Sequence, residues 1–323
     1  STDSANLRPR IERIAAEVNQ PAKDAALRWT GSALSVVAPS EDGRQVDVDA
    51  TLAALAKVAE QPDRTVPLVV TTMKPRVGDQ NLQALGITQL VAEGKSNFSF
   101  SPPNRVTNIK KMSGLLNGVL LAPGEEFSFN QVMGDISPEE GWAEGLVIEN
   151  GRTVPGLGGG ICQVSTTAFR AAFWAGVPIT ERHDHVYPVP YYTQGGFPEG
   201  FDATVWSPDL DFKFKNDTPG YLLIQTAVDL AGSNLTVSLY GTKPPGRSVQ
   251  MQGPYVSNVK PVPPARHIPD ATKPKGVVAQ TDYPHQGMDV LIRRVVKDGS
   301  GSKVQEFASH YQPWSAVYAE GTR

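Results

Sequence analysis

The sequence predicts a multi-domain α+β protein. Glycine and proline are abundant, 30 and 27 in 323 residues, about 18% of the chain against an average near 12%. That composition disfavours a helical bundle and favours strands, turns and connecting segments. The hydrophobic share of 40% supports real cores, and with a charged share of 20% it excludes disordered, collagenous and coiled-coil chains. Apolar spacing also switches along the chain between the helical repeat and strand alternation. At ~100–200 residues per domain, the length suits two or three domains.

Residues 1–78 read as an N-terminal α/β unit. Leu7, Ile11, Ile14 and Val18 fall at helical spacing. Ala33 to Ala38 reads as a strand. Asp49 is placed to cap a second helix carrying Leu52, Leu55 and Val58 on one face. Thr65 to Thr72 reads as a strand that Pro67 confines to an edge. Residues 79–98 are expected to connect this unit to the next.

Residues 99–242 read as a central mixed α+β domain. Asn104 to Asn117 is expected to be helical, with Ile109, Met112 and Leu116 on one face. Leu146 to Ile148 and Thr153-Val154 flank Asn150-Gly151, a strong hairpin signal. A Gly-rich turn, Gly156 to Gly160, precedes a mostly apolar helix from Cys162 to Ala175, in which Arg170 is the one charge. Such a helix is expected to be buried nearly all round. Gly176 suits its C-terminal cap. Tyr221 to Val228 and Leu235 to Tyr240 alternate as paired strands.

Residues 243–275 hold eight prolines in 33 positions, a linker composition. Residues 276–323 read as a small all-β module, with Val290 to Val296 and Lys303 to Ala308 flanking the loop Asp298-Gly299-Ser300-Gly301.

Function classes narrow by charge. Thirty-three acidic residues against 30 basic ones give a net charge of −3, so no overall basic field exists to hold nucleic acid. No run reaches the ~20 apolar residues of a membrane span, and no signal peptide is visible. The chain opens on Ser1 rather than Met. A processed or truncated form is therefore expected, with an anchor or export signal upstream.

The sharpest chemical feature is Gly158-Gly159-Gly160-Ile161-Cys162-Gln163, with Cys162 the single cysteine. A helix starting there leaves unpaired N–H groups in its first turn, and these with the helix dipole stabilise an anion. The thiol pKa then falls. The same N–H groups, joined by the Gln163 side chain, suit the oxyanion of an acyl-transfer intermediate. A nucleophile needs a base and the base an orienting group. Downstream lie Arg182-His183-Asp184-His185 and then Asp202. The order Cys162, His185, Asp202 matches papain-like cysteine enzymes, although triads are defined by geometry rather than order.

Two other readings stand beside this one. In the first, Cys162, His183, His185 and Asp202 form a metal site, because two histidines at i, i+2 on a strand share a side. In the second, Cys162 is a small buried hydrophobe, the glycines give close packing and the histidines are structural. Arg105, Asn108, Lys111, Arg152 and Arg182 suit either an anionic substrate or a solvated face. Tyr187, Tyr191, Tyr192, Phe197 and Phe201 suit a sugar or peptide platform, or a proline-ordered loop packed on the core. Gly156 to Gly160 lacks the spacing of a nucleotide loop, and no cofactor is expected. His267, His285 and His310 have no local partners and read as structural.

The stretch from Asn104 to Tyr240 resembles the VanW family. The matching residues are Asn108-Ile109, Leu116-Asn117-Gly118, Pro123-Gly124-Glu125, Phe127 to Asn130, Gly158 to Thr167, Glu181-Arg182-His183 with His185, and Asp202 to Val205. The family often has Ser after the second histidine, where this chain has Val186. Residues 1–78 are similar to a peptidoglycan-binding domain found before VanW domains and before L,D-transpeptidases. Residues 276–323 resemble a short extracellular β module, through Gly287-x-Asp289-Val290, Arg293-Arg294 and Tyr311-x-Pro313-Trp314.

The family takes its name from vancomycin-resistance gene clusters and has exported, wall-facing architectures. The resemblance implies an extracytoplasmic place and a cell-wall polymer as partner, without supplying a reaction. From the residues themselves, Cys162 is expected as nucleophile, with His185, His183, Asp202 and Gln163 as catalytic partners. Gly158, Gly159, Gly160, Arg105, Asn108, Arg182 and Tyr191 are expected to bind substrate, which the resemblance implies is a peptidoglycan stem peptide. The alternative is a non-catalytic wall-binding cleft.

Overall fold

The computed structural model describes residues 4–58, 61, 65–149, 152–299 and 301–323. They are mixed helix and strand and divide into two compact units, 1–85 and 86–323.

In the first unit, helix α1 (Ser4–Val18) buries Ile11 and Ala15. Ile14, expected on the same stripe, is exposed. The buried face instead runs through Ile11 and Ala15 to Val18, which packs beside Val46, Leu52 and Leu55. Helix α2 (Val48–Val58) is capped by Asp47 rather than Asp49. The Asp47 carboxylate accepts the Ala50 N–H at 2.9 Å, the N-cap pattern that satisfies a first-turn donor. Two strand pairs complete the unit: Ala26–Trp29 with Leu34–Ala38, and Gly43–Val46 with Val70–Met73. The strand expected from Thr65 begins only at Val70, three residues past Pro67.

The second unit is built around one helix. Helix α3 (Pro103–Leu116) buries Ile109, Met112 and Leu116, as its spacing predicts. The short helix α4 (Phe129–Met133) is capped by Ser128, whose Oγ accepts the Gln131 N–H. Helix α5 (Ile161–Ala175) is buried along nearly its whole length. Gly176 closes it in the left-handed conformation, φ 71°, which costs a residue without Cβ little. The single turn α6 (Pro190–Thr193) follows in chain order.

Helix α5 packs against an antiparallel sheet in the order Gln89–Asn97, Asn234–Gly241, Leu222–Asp229, Leu120–Leu121. The stretch 79–98, expected as a connection, thus supplies an edge strand. At Gly94 a Cβ would collide with the Thr167 carbonyl and the Ala171 backbone nitrogen, so helix and strand meet backbone to backbone. Hairpin strands Glu144–Glu149 and Arg152–Leu157 pair as expected. Their Asn150-Gly151 turn lies outside the described residues, as does Ser300 of the later loop.

The segment 243–275 is not a free linker. Ser248–Lys260 is a strand paired with Gly287–Asp298, which pairs in turn with Gly301–Tyr311. Arg266–Asp270 joins Val317–Gly321 in parallel, with Val278–Asp282 on the other side. Proline is tolerated here because it falls at strand ends and irregularities such as the register shift between Gln252 and Tyr255. The C-terminal strands also share the central core. Ile292 and Phe307 belong to the same buried cluster as Phe169 and Phe173. Arg294 is buried and donates to the carbonyls of Ala172, Phe173 and Val177, the last of which lies just beyond α5, and so draws the sheet onto the C-terminal end of that helix.

Candidate active site

Glycines set the position of Cys162. Gly160 has φ 112° and its Cα lies so close to α3 that a Cβ would meet the Arg105 carbonyl at 2.9 Å. Only glycine fits there. Asn108, fully buried on α3, donates to the carbonyls of Ala143 and Gly159 and accepts the Ala143 N–H. It fixes the triglycine turn and is not itself presented to a ligand. The chain then enters α5 with Cys162 as its second residue. The neighbouring N–H groups of Ile161 and Gln163 are taken by Gly158 and Gly160 carbonyls. The Cys162 N–H has no acceptor among the described residues.

His185 lies in the loop that follows the short strand Ile179–Glu181. A backbone bridge joins His183 to Thr204 and so lays residues 183–185 beside 202–204. His185 is buried, and its Nδ1 hydrogen-bonds the Asp202 carboxylate. Its Nε2 is buried and makes no hydrogen bond among the described residues. Cys162 is partly exposed; its Sγ lies 3.5 Å from Thr204 Oγ1 and 3.6 Å from the Val205 carbonyl.

The three groups bias one another. Burial pushes the Cys162 thiol up, but the influence of the His185 imidazole outweighs it and holds the pKa below its ordinary value. Burial opposes the His185 imidazolium, yet Asp202 and Cys162 together raise its pKa to about 9. Asp202, disfavoured by burial, is held far below the usual carboxylate range by His185, Arg182 and Tyr311. Together these shifts favour a thiolate–imidazolium pair backed by a carboxylate.

Two residues fasten Asp202. Arg182 lies 3.3 Å from its Oδ1 through one guanidinium nitrogen and also donates to the carbonyls of Asp202, Gly200 and Ala308 and to Ser309 Oγ. Arg182 is thus spent on the scaffold rather than on substrate, against the sequence expectation. Tyr311, from the C-terminal sheet, donates to Asp202 Oδ1 at 2.5 Å and accepts the Gly200 N–H at 2.9 Å. Nothing near Tyr311 in sequence signals this contact, which spans 109 residues. Tyr311→Phe is expected to lower stability by about 2 kcal/mol, the range for a hydrogen bond to a charged group. Urea unfolding measures it; an unchanged midpoint would mean the hydroxyl is replaceable.

Other expected site residues separate from the triad. Gln163 is buried and its amide donates to Ser96 Oγ and the Asn97 carbonyl, so this side chain is turned away from the thiol, against the sequence expectation. His183 turns to Glu181, 2.9 Å away. Glu181, although desolvated, is held down to about 2 by Lys213 and His183. Cys162, His183, His185 and Asp202 therefore do not converge, and among the described residues no group of three or more His, Cys, Asp or Glu is placed to hold a metal ion. Phe197 and Phe201 pack on Arg170, a buried guanidinium that donates to the carbonyls of Lys95, Tyr192 and Phe201.

The triad opens on a cleft of about 870 Å³. Gly158 to Gly160, Arg105, Tyr187, Tyr191 and Tyr192 line it with the 144–157 hairpin. So do Thr281 to Tyr283 and His285. His285, expected to be merely structural, stacks on Tyr187 with ring centroids 5.1 Å apart.

Residues 104–240 match the family described as "VanW like protein", the span that holds the glycine turn, Cys162, His185 and Asp202. This segment is a VanW-like domain. Residues 1–67, in the N-terminal unit, match the family "Putative peptidoglycan binding domain". Ahead of the VanW-like domain, this second match supports a cell-wall-associated protein. The chain is 35% identical over 168 residues to the protein YoaR of Bacillus subtilis (strain 168), covering 52% of this chain and 53% of that protein. It is 34% identical over 118 residues to the vancomycin B-type resistance protein VanW of Enterococcus faecalis (strain ATCC 700802 / V583), covering 36% of this chain and 42% of the relative. The chain thus spans about half the length of these curated relatives. Among the described residues, no helix is long and apolar enough to cross a membrane.

Proposed function

We propose that the VanW-like domain is a cysteine-dependent acyltransferase or amidase acting on peptidoglycan stem peptides outside the cytoplasm. The supporting observation is that Cys162, at a helix N-terminus, and His185, hydrogen-bonded to Asp202, line the same large cleft. The Cys162 thiolate attacks a peptide carbonyl carbon and forms a C–S bond. The oxyanion that results accepts the free Cys162 N–H. The His185 imidazolium gives its proton to the departing amine as the C–N bond breaks, leaving a thioester. Neutral His185 then takes a proton from water, for hydrolysis, or from an acceptor amine, for transfer. Attack on the thioester regenerates the thiol. Asp202 holds the imidazole tautomer with Nε2 facing this chemistry.

The peptidoglycan-binding match in the N-terminal unit and the vancomycin-resistance relative supply the substrate class. Purified sacculi test the proposal. Wild type is expected to sediment with them and to change their muropeptide profile by mass spectrometry. Cys162→Ala, nearly isosteric but without the thiolate, is expected to sediment equally and change nothing. Equal sedimentation with no change by either protein would favour a wall-binding cleft without catalysis. Absence of both sedimentation and muropeptide change in wild type would sink both readings.

A further inference from the structure

Arg105 is a buried cation that pairs with no acid among the described residues. It is 9% exposed, and burying a charge is costly unless it is paired or well hydrogen-bonded. The other buried arginines obey that rule. Arg170 donates to three carbonyls, Arg294 to three carbonyls and a glutamine, and Arg247 pairs with Asp217. Among the described residues, the Arg105 guanidinium has one acceptor, Ser101 Oγ at 2.6 Å. None of its other N–H groups is sealed from solvent. The plane is held over the Tyr191 ring at 3.9 Å, which fixes its direction while leaving its edge free.

That free edge belongs to the Cys162 cleft. Among the described residues, Arg105 is the one Lys or Arg lining it. The acids of the cleft, Glu144 and Asp282, form no ion pair with it; Asp282 accepts from the Trp314 indole instead. The Arg105 Cγ would lie 3.0 Å from a Cβ on Gly160, two residues before the nucleophile. A rigid, half-satisfied guanidinium fork suits a carboxylate in bidentate geometry.

We propose that Arg105 receives the free C-terminal carboxylate of a peptide, placing that terminus a few residues at most from the scissile amide. The word scissile rests on the acyl-transfer proposal; the binding does not.

The probe is the peptide L-Ala-D-isoglutamine-L-Lys-D-Ala, N-acetylated, whose terminus is its only carboxylate, and the same peptide as its C-terminal amide. Calorimetric titration into full-length Cys162→Ala protein is expected to show the acid binding at least about tenfold more tightly than the amide. In Arg105→Gln on that background the preference is expected to vanish, and in Arg105→Lys to survive in part. Thermal melting checks that each variant is folded, and the acid–amide comparison stands without them. Equal affinities, a preference that survives Arg105→Gln, or no binding of either peptide at millimolar concentration would overturn the subsite. Wild type that prefers the acid through Arg105 yet releases no product would keep the subsite and remove the acyl-transfer proposal. Turnover of acid and amide with equal kcat/KM would do the reverse.

Discussion

Iodoacetamide is expected to alkylate Cys162 at pH 7 faster than it alkylates free cysteine, by up to about tenfold. An ordinary thiol of pKa ~8.5 is only about 3% thiolate at that pH. The lowered pKa of Cys162 raises the thiolate fraction by up to about thirtyfold, and the weaker nucleophilicity of a more acidic thiol takes back roughly a factor of three. The sign with pH follows from the two shifts. Because His185 lowers the thiol pKa, thiolate forms at lower pH than in a free thiol. The imidazolium that stabilises it persists until the pH climbs through about 9. Alkylation should therefore rise at lower pH than the rise centred near pH ~8.5 of a free thiol. His185→Ala removes the stabilising charge while burial of the thiol remains, so the rate at pH 7 should drop below that of free cysteine. A wild-type rate no greater than free cysteine, or a His185→Ala profile superimposable on wild type, would remove the nucleophile from the proposal.

Deletion of residues 276–323 is expected to prevent folding of the second unit. The deleted strands carry Ile292 and Phe307, buried in the central cluster, and Phe307 packs 5.4 Å from Phe169 and 5.6 Å from Phe173 on α5. Large-to-small changes at such sites cost about 2–5 kcal/mol each, against a total stability of about 5–15 kcal/mol for an ordinary domain. Deletion also strips Arg294 from the carbonyls of α5 and Tyr311 from Asp202. Phe307→Ala is the graded version, with an expected loss of about 3–5 kcal/mol in urea unfolding. A soluble truncated protein with native near-ultraviolet dichroism and the wild-type alkylation profile would show that the module is dispensable. For the same reason limited proteolysis should not cut first within 243–275, where a linker would be cleaved.

Much of the local structure was legible in advance. The spacing of Ile109, Met112 and Leu116 marked α3. The apolar run after Gly160 marked α5, with Gly176 as its stop. The alternation in 221–240 marked two central strands. Each rests on contacts within a few residues, where a periodic pattern writes itself into the chain. Local propensity misled where composition stood in for pairing. The prolines of 243–275 masked a 13-residue strand, because strand identity there comes from partners some 30 to 50 residues away. Asp47, two residues before the expected Asp49, caps α2, because packing of the helix sets its register.

The sequence by itself determined the glycine turn, the helix and a cysteine at its start, because backbone sterics and helix dipoles act over neighbouring residues. It also determined the set from which a triad had to come, since one cysteine and a few histidines leave few combinations. Only the tertiary structure decided between His183 and His185. One ring turns to Glu181 and the other to Asp202, a choice made by the bridge between 183 and 204. Only the tertiary structure turned Gln163 inward and set Arg182 and Tyr311 on Asp202. It alone left Arg105 buried and paired with no acid among the described residues. Those outcomes depend on which desolvated groups find partners, and the partners lie up to 127 residues away. Hydrogen bonding across such distances follows from how the sheets close around α5, which no local pattern encodes.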